Sequence, residues 1–281
     1  MKIIAESSST RTEWMLVEGS DVKEHAYTEG LNPFFQSRRE ISHSIRLELP
    51  HQFFKRRWEH VHYYGAGCSS PEKNMIVEAS LVAQFKTPVT VESDLVGAAR
   101  GLLVHDAGLA CILSTGSNSC FYDGEKIVKN VRSLGFILGD EGSGAAMGRI
   151  FLGDVLKDLA PKHLSDEFFE KMRVTPDDIM NDIYNNTYAN RNLSSYSLFL
   201  SEHLDDEYVH DLIFNEISRF FEPNIMQYEN YQDYPVCFMG SVACLYSEIL
   251  LAVAAKYGAT IRKIVNNSLP GLITYHCTTR P

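Results

Sequence analysis

The sequence predicts an α/β protein of two lobes, each a sheet with a parallel portion and helices packed on its faces. Three observations carry that expectation. Strand-like and helix-like patterns alternate along the chain. A strand, hydroxyl-rich turn, strand, turn, strand arrangement at the N-terminus recurs at 109–130, a degenerate internal repeat. The 281 residues, 44% of them hydrophobic, exceed the usual size of one compact unit and can bury a sizeable core.

Residues 2–6 read as a short buried strand. Ser7-Ser8-Ser9-Thr10-Arg11-Thr12 follows as a turn, 13–17 as a second strand, and Glu18-Gly19-Ser20-Asp21 turns the chain into a third. Serine and threonine favour turns by bonding local backbone, so one such turn is weak evidence of function and the recurring pair is stronger. Asn32-Pro33 reads as an N-cap followed by proline at the first helical position, opening an amphipathic helix through about residue 47. A strand at 61–64 ends in Gly65-Ala66-Gly67. A helix at 71–85 places Met75, Ala79 and Val82 on one face, and a strand at 89–92 leads to Asp94, which opens a helix through Leu103.

The second lobe opens with LACILSTGSNSCFYDGEKIVKNVRSLGFILGDEGSGAAMGR at 109–149. Its apolar run at 110–113 stops abruptly at Ser114-Thr115-Gly116-Ser117-Asn118-Ser119. The strand therefore delivers hydroxyls and backbone N–H groups to one tip, which suits an anion. An Asp123-Gly124 hairpin and a glycine-rich helix entry at 139–144 follow. Residues 150–226 read as mostly helical, with Pro176 and Pro223 as boundary marks and no concentrated chemistry. A strand, Gly240-Ser241 turn and helix run from 236 to about 257, then a strand at 261–265 and a last helix at 269–276. The repeat puts the lobe boundary at 104–108, which gives 1–106, completed by the terminal segment 268–281, and 107–267 with a helical insertion.

The net charge of −10 and pI near 5.5 disfavour a nucleic-acid or anionic-membrane surface. The one basic knot, Lys55-Arg56-Arg57, reads as a solvated loop or helix end. Six cysteines, at 68, 111, 120, 237, 244 and 277, lack paired spacing and read as reduced core residues. The N-terminus lacks an apolar run of signal-peptide length and no stretch approaches a membrane span, so a cytoplasmic location is expected.

Four segments, AESSSTRTEW at 5–14, LSTGSNS at 113–119, GFILGDEGSGAAMGR at 135–149 and FMGSVA at 238–243, together resemble the N-acetylglucosamine kinase and BadF/BadG/BcrA/BcrD ATPase family. That family lies within the sugar-kinase, actin and chaperone ATPase superfamily, and the likeness runs through most of the chain. It implies two ribonuclease-H-like lobes around an interdomain cleft, with ATP and Mg²⁺ as cofactors and phosphorylation of an amino sugar, N-acetylglucosamine at its 6-hydroxyl. By the same likeness Ser7, Ser8, Ser9, Thr10 and Arg11 form the first phosphate turn, and Thr115, Gly116 and Ser117 the second. Gly240 and Ser241 form the adenosine platform. Asp94 is the catalytic base and Glu6 the Mg²⁺ carboxylate. Asn32, Gly67, Thr115, Asn118 and Asp140 are the sugar contacts. On spacing alone Asp94 reads equally as a helix cap, Asp140 and Glu141 as acids on helix N-terminal amides, and Asn32 as a cap.

This chain departs from the family's first turn, with Glu6 for aspartate, Ser8 for glycine and Arg11 for lysine, and Ser114 replaces a frequent glycine in the second. A left-handed Ser8 would cost roughly 1–2 kcal/mol. Two other readings compete. A BadF-type ATPase activator needs cysteines that hold an iron–sulfur cluster at a subunit interface, and a non-catalytic sugar or nucleotide sensor would tolerate the altered turn. The expected partners are a small-molecule sugar and ATP, with no nucleic acid and no membrane. A homodimer is left open.

Overall fold

The computed structural model describes residues 1–8, 10–55 and 57–277, and the chain divides into two compact units. One comprises Met1–Ala107, Tyr122–Ile127 and the chain from Asn267; the other comprises Gly108–Phe121 and Val128–Asn266.

The first unit is built on a five-stranded mixed sheet. Its strands are β1 (Lys2–Ser7), β2 (Arg11–Glu18), β3 (Asp21–Glu29), β4 (Val61–Gly65) and β5 (Val89–Ser93), in spatial order β3-β2-β1-β4-β5. The β1–β2 and β2–β3 pairs are antiparallel, and β4 and β5 run parallel to β1. Side chains alternate across β1, so its two apolar sets face opposite layers. Ile3 and Ala5 pack with Trp14 and Tyr63 against helices α1 (Arg38–Glu48) and α2 (Pro71–Phe85). Ile4 packs with Val17 and Tyr64 against Leu269, Leu272 and Ile273 of the C-terminal helix α12 (Leu269–Cys277), which lies beside α3 (Asp94–Leu103). The two helices touch backbone to backbone: a methyl group added at Gly271 would overlap Gly101 O, and one at Gly101 would lie 2.5 Å from Ser268 O.

One local expectation is corrected in this unit. Helix α1 starts at Ser37 rather than after Asn32-Pro33. Ser37 Oγ accepts from Glu40 N while Glu40 reaches back to Ser37 N, a capping box that satisfies two otherwise unpaired donors. Asn32 instead closes a tight turn, its Oδ1 accepting from Phe34 N at 2.9 Å. On α2 the buried stripe is Val77, Leu81 and Phe85, while Met75 and Val82 are 65% and 41% exposed.

The second unit repeats the plan. Strands β6 (Gly108–Leu113), β7 (Ser117–Tyr122), β8 (Ile127–Val131), β9 (Pro235–Met239) and β10 (Thr260–Val265) stand in the order β8-β7-β6-β9-β10, the same topology as the first sheet. Short helix α4 (Gly135–Leu138) precedes α5 (Gly144–Leu156), α6 (Lys162–Met172), α7 (Pro176–Tyr184), α8 (Ala189–Tyr196) and α9 (Glu207–Phe221). Their apolar faces meet around Phe151, Phe168, Phe199 and Phe220. The helix expected after Gly240 is two helices, α10 (Ser241–Leu245) and α11 (Ser247–Lys256). The break falls at Tyr246, a buried ring whose hydroxyl donates to Ser197 O at 3.3 Å. The hairpin tip at Gly124 belongs to the first unit, where a methyl group would overlap His105 O and φ is +95°.

Two five-stranded mixed sheets of one topology, each flanked by helices, are ribonuclease-H-like lobes. Among the described residues no helix is long and apolar enough to cross a membrane.

Candidate active site

In the first unit the hydroxyls of the first turn divide into two sets. Ser7 and Thr12 are fully buried. Their hydroxyls meet at 2.7 Å, and they hold the backbone of the chain leaving β3: Leu31 N donates to Ser7 Oγ at 3.0 Å, and Thr12 Oγ1 donates to Glu29 O at 2.9 Å. Ser7 thus corrects the expectation of a phosphate-facing hydroxyl, because a buried hydroxyl spends its hydrogen bonds on backbone groups that would otherwise be unpaired. Ser8, Thr10 and Arg11 are exposed, and Ser9 lies outside the described residues. Ser8 Oγ accepts from Thr10 N and Arg11 N and closes the turn. It is not among the described residues with positive φ, so the expected left-handed strain is not incurred. Arg11 lies 4.4 Å above the Tyr27 ring and 3.9 Å from Glu13 Oε2.

Glu6 is 8% exposed at the end of β1, directly across from Glu13 of β2, itself 7% exposed. Ser268 N, at the start of α12, donates to Glu6 Oε2 at 2.9 Å. Burial pushes the Glu6 carboxyl up to about 7, the charges of Glu13 and Asp94 add to the shift, and the Ser268 bond offsets part of it. Glu13 has neighbours of its own: His25 Nε2 lies 2.7 Å from Oε1, and Asn267 Nδ2 donates to Oε2 at 3.3 Å.

Asp94 opens α3, but it is not the cap. Ser93 is the N-cap, its hydroxyl accepting from Val96 N at 3.2 Å. Asp94 accepts from the adjacent Leu95 N at 2.8 Å, and burial raises its carboxyl above the ordinary aspartate range against the pull of that bond and of its own backbone N–H. Asn32 and Gly67 are brought together: Gly67 has φ +81° and a methyl group there would overlap Asn32 Oδ1, so only glycine lets that amide sit where it does.

In the second unit three segments far apart in sequence converge. Gly144 N donates to Ser114 O at 2.9 Å and Ala145 N to Thr115 O at 3.2 Å, tying the hydroxyl turn to the start of α5. Asp140, left-handed at φ +55° and 8% exposed, accepts from Ser117 N at 3.3 Å and from Ser133 Oγ at 3.1 Å. Its carboxylate covers Gly116, where a methyl group would lie 3.0 Å from Oδ2. Burial raises this carboxyl too, against the pull of those two donors. Gly240, at φ +119°, sits so close to Leu113 O that a methyl group would overlap it, and Ser241 beyond it is exposed. Gly116, Asp140 and Gly240 therefore surround one turn. The turn's amides are not all open, since Ser114 N is already bonded to Gly116 O at 2.9 Å.

Four residues escaped the sequence reading. Asn130 Nδ2 donates to Asn118 Oδ1 at 3.0 Å and so orients the Asn118 amide. Ser133 holds Asp140, while Asn267 and Ser268 hold Glu13 and Glu6. A lone Asn or Ser in a loop gives no signal in sequence, because its role exists only through a distant partner. Cys111 and Cys120 lie buried in the second sheet, where burial raises both thiols, Cys120 to about 12, and makes them poor thiolate ligands.

Among the described residues no group of three or more His, Cys, Asp or Glu side chains is arranged to hold a metal ion. A single buried carboxylate whose proton affinity is raised by burial and neighbouring negative charge still fits a Mg²⁺ that arrives with a nucleotide, because Mg²⁺ keeps several waters and takes one or two protein carboxylates beside phosphate oxygens.

Fold and site define a class: a two-lobed protein of the superfamily that contains sugar kinases, actin and the chaperone ATPases. No protein-family model matches the chain, and no curated protein matches it in sequence. Among solved structures it is similar to a Porphyromonas gingivalis protein solved as "Putative N-acetylglucosamine Kinase", at 38% identity over 99% of each chain with a TM-score of 0.93. A Chromobacterium violaceum protein solved under the same name matches at 13% identity over 98% of each chain, with a TM-score of 0.74. A ROK family glucokinase from Streptomyces griseus, solved with glucose and AMPPNP, shares the fold at 12% identity and a TM-score of 0.59, over 98% of this chain and 97% of its own. By the first of these matches the chain belongs to the N-acetylglucosamine kinase family.

Proposed function

We propose that the protein transfers the γ-phosphoryl group of ATP to the 6-hydroxyl of N-acetylglucosamine. The observation that carries this reading is the division of labour at the start of α3. Ser93 caps the helix, which leaves Asp94 a half-buried carboxylate whose raised proton affinity makes it a stronger base. Asp94 accepts the proton of the sugar hydroxyl as that oxygen bonds to the γ-phosphorus, and the bond from phosphorus to the β–γ bridging oxygen breaks to release ADP. Asp140, Asn118 and Thr115 contact the sugar in this reading, with Asn32 beside Gly67. In this reading the exposed Ser8, Thr10 and Arg11 of the first turn and the half-buried Thr115 and Gly116 of the second meet phosphate oxygens, while the Ser117 amide is taken by Asp140. Gly240 and Ser241 lie against the adenosine. Glu6 would hold a hydrated Mg²⁺, which neutralises phosphate charge when bound. The 38% identical relative, solved as "Putative N-acetylglucosamine Kinase", supports the acceptor.

The test is ADP release from Mg-ATP with a panel of hexoses and N-acetylated amino sugars. Release should depend on N-acetylglucosamine, and phosphorus NMR should find the product phosphate on the 6-oxygen. Asp94→Asn should lower kcat by about 10²- to 10⁴-fold while calorimetry still detects sugar binding. No ADP above the sugar-free rate with any acceptor would overturn the proposal.

A further inference from the structure

The amide of Asn118 is held in one orientation by groups whose polarity cannot reverse. Asn118 stands on β7 just past the hydroxyl turn and is half-buried. Its Oδ1 accepts from Ser119 N at 2.9 Å and from Asn130 Nδ2, on the neighbouring strand β8, at 3.0 Å. Asn130 is itself pinned, because its Nδ2 also donates to Ser119 O at 2.7 Å and to Val131 O at 2.9 Å. A backbone N–H only donates and a backbone carbonyl only accepts, so neither amide can turn over without losing these bonds. Both lone pairs of Asn118 Oδ1 are therefore taken. Among the described residues nothing accepts from Asn118 Nδ2, and it is not a buried polar atom left without a partner, so its hydrogens are open to a ligand.

We infer that Asn130 is a positioning residue that makes Asn118 a permanent N–H donor, and that the pair selects N-acetylated over free amino sugars by donating to the acetyl carbonyl oxygen. This rests on the sugar contact proposed above for Asn118. A sugar hydroxyl both donates and accepts, and would suit either end of an amide. A fixed N–H end matters only to a partner that solely accepts, such as a carbonyl, or to one that solely donates, such as the ammonium of a free amino sugar, which it repels. The Asp140 carboxylate, which accepts from the adjacent Ser117 N at 3.3 Å, would by itself draw an ammonium, and the fixed donor opposes that. A phosphate oxygen also only accepts, but the same carboxylate favours a neutral acceptor over an anionic one.

Calorimetric titration of the full chain with N-acetylglucosamine, with protonated glucosamine and with a non-hydrolysable ATP analogue tests this without phosphoryl transfer. The parent protein should bind the acetylated sugar about tenfold more tightly than glucosamine. Asn118→Asp puts an acceptor where the N–H end stood and should reverse that preference. Asn130→Leu keeps the bulk at an exposed position and removes the lock, so the preference should fall about tenfold while nucleotide affinity stays as in the parent. A purely structural Asn130 would weaken both sugars alike and leave their ratio unchanged, which overturns the inference. So does Asn130→Leu weakening the nucleotide in place of the sugar, Asn118→Asp retaining the parent's preference, or a parent that binds the two sugars equally or binds neither. Selective sugar binding that Asn130→Leu relaxes, in a protein that releases no ADP, upholds the inference and overturns the kinase reading alone.

Discussion

Glu6 shows how one carboxylate serves two ends. It receives Ser268 N, which fastens the C-terminal segment to β1, and it lies buried beside two other acids. Its proton is bound more tightly in the folded protein than in the unfolded chain, where the ordinary value is 4.5. The contribution of Glu6 to stability is therefore full below about 4.5, falls as pH rises, and levels off above about 7. Glu6→Gln keeps an acceptor for Ser268 N and removes the charge. It should be more stable than the parent protein by up to about 3 kcal/mol above neutrality, with the difference vanishing in acid. Urea unfolding at a series of pH values measures this, and a difference that does not change with pH would show that the buried charge is not its cause. Ser7 and Ser8 make a related point. The two are neighbours in one motif, yet one hydroxyl is locked under β3 and the other closes the turn.

At the scale of elements, α12 is held by a column of rings. His62 of β4 stacks on His276 of α12 with centroids 3.7 Å apart, His60 stacks on His62 at 4.4 Å, and His276 Nε2 lies 2.8 Å from Tyr64 Oη. Lys2 of β1 and Arg100 of α3 face the same column. Burial, then these neighbouring charges, lowers His62 to about 2 and His276 to about 4. Both rings are held neutral, so the stability they give is present above about 6.5 and is lost as pH falls toward those values. Allowing for partial exposure, the loss should be on the order of 1 kcal/mol per pH unit. His62→Gln should flatten it, and hydrogen exchange of α12 between neutral and mildly acidic pH would reveal it. Acid-independent protection of α12 would remove the histidine column as its clasp.

For the whole molecule, the chain order and the structural units do not coincide. The C-terminal helix returns to the first unit, where Leu269, Leu272 and Ile273 cover Ile4, Val17 and Tyr64. Removing the chain from Asn267 onward uncovers that face and leaves Glu6 and Glu13 without the Ser268 and Asn267 donors. The shortened chain should lose cooperative unfolding of its first unit while the second, which keeps its own core, still melts as a unit. Calorimetry of both forms checks this, and an unchanged melting profile would mean that α12 is dispensable to the first unit.

The amino-acid sequence alone determined the plan: two sheets of one topology, the strand-to-turn joints at 7–12 and 113–119, and the helix opening at Asp94. Those features rest on local periodicity and turn chemistry, which neighbouring residues settle among themselves. Only the tertiary structure decided which face of α2 is buried, that Ser93 and Ser37 are the caps, and that Asn130, Ser133, Asn267 and Ser268 orient the acids and amides of the site. Each of those outcomes is a competition for burial or for a hydrogen bond between residues distant in the chain, and a linear pattern carries no record of which partner will be near.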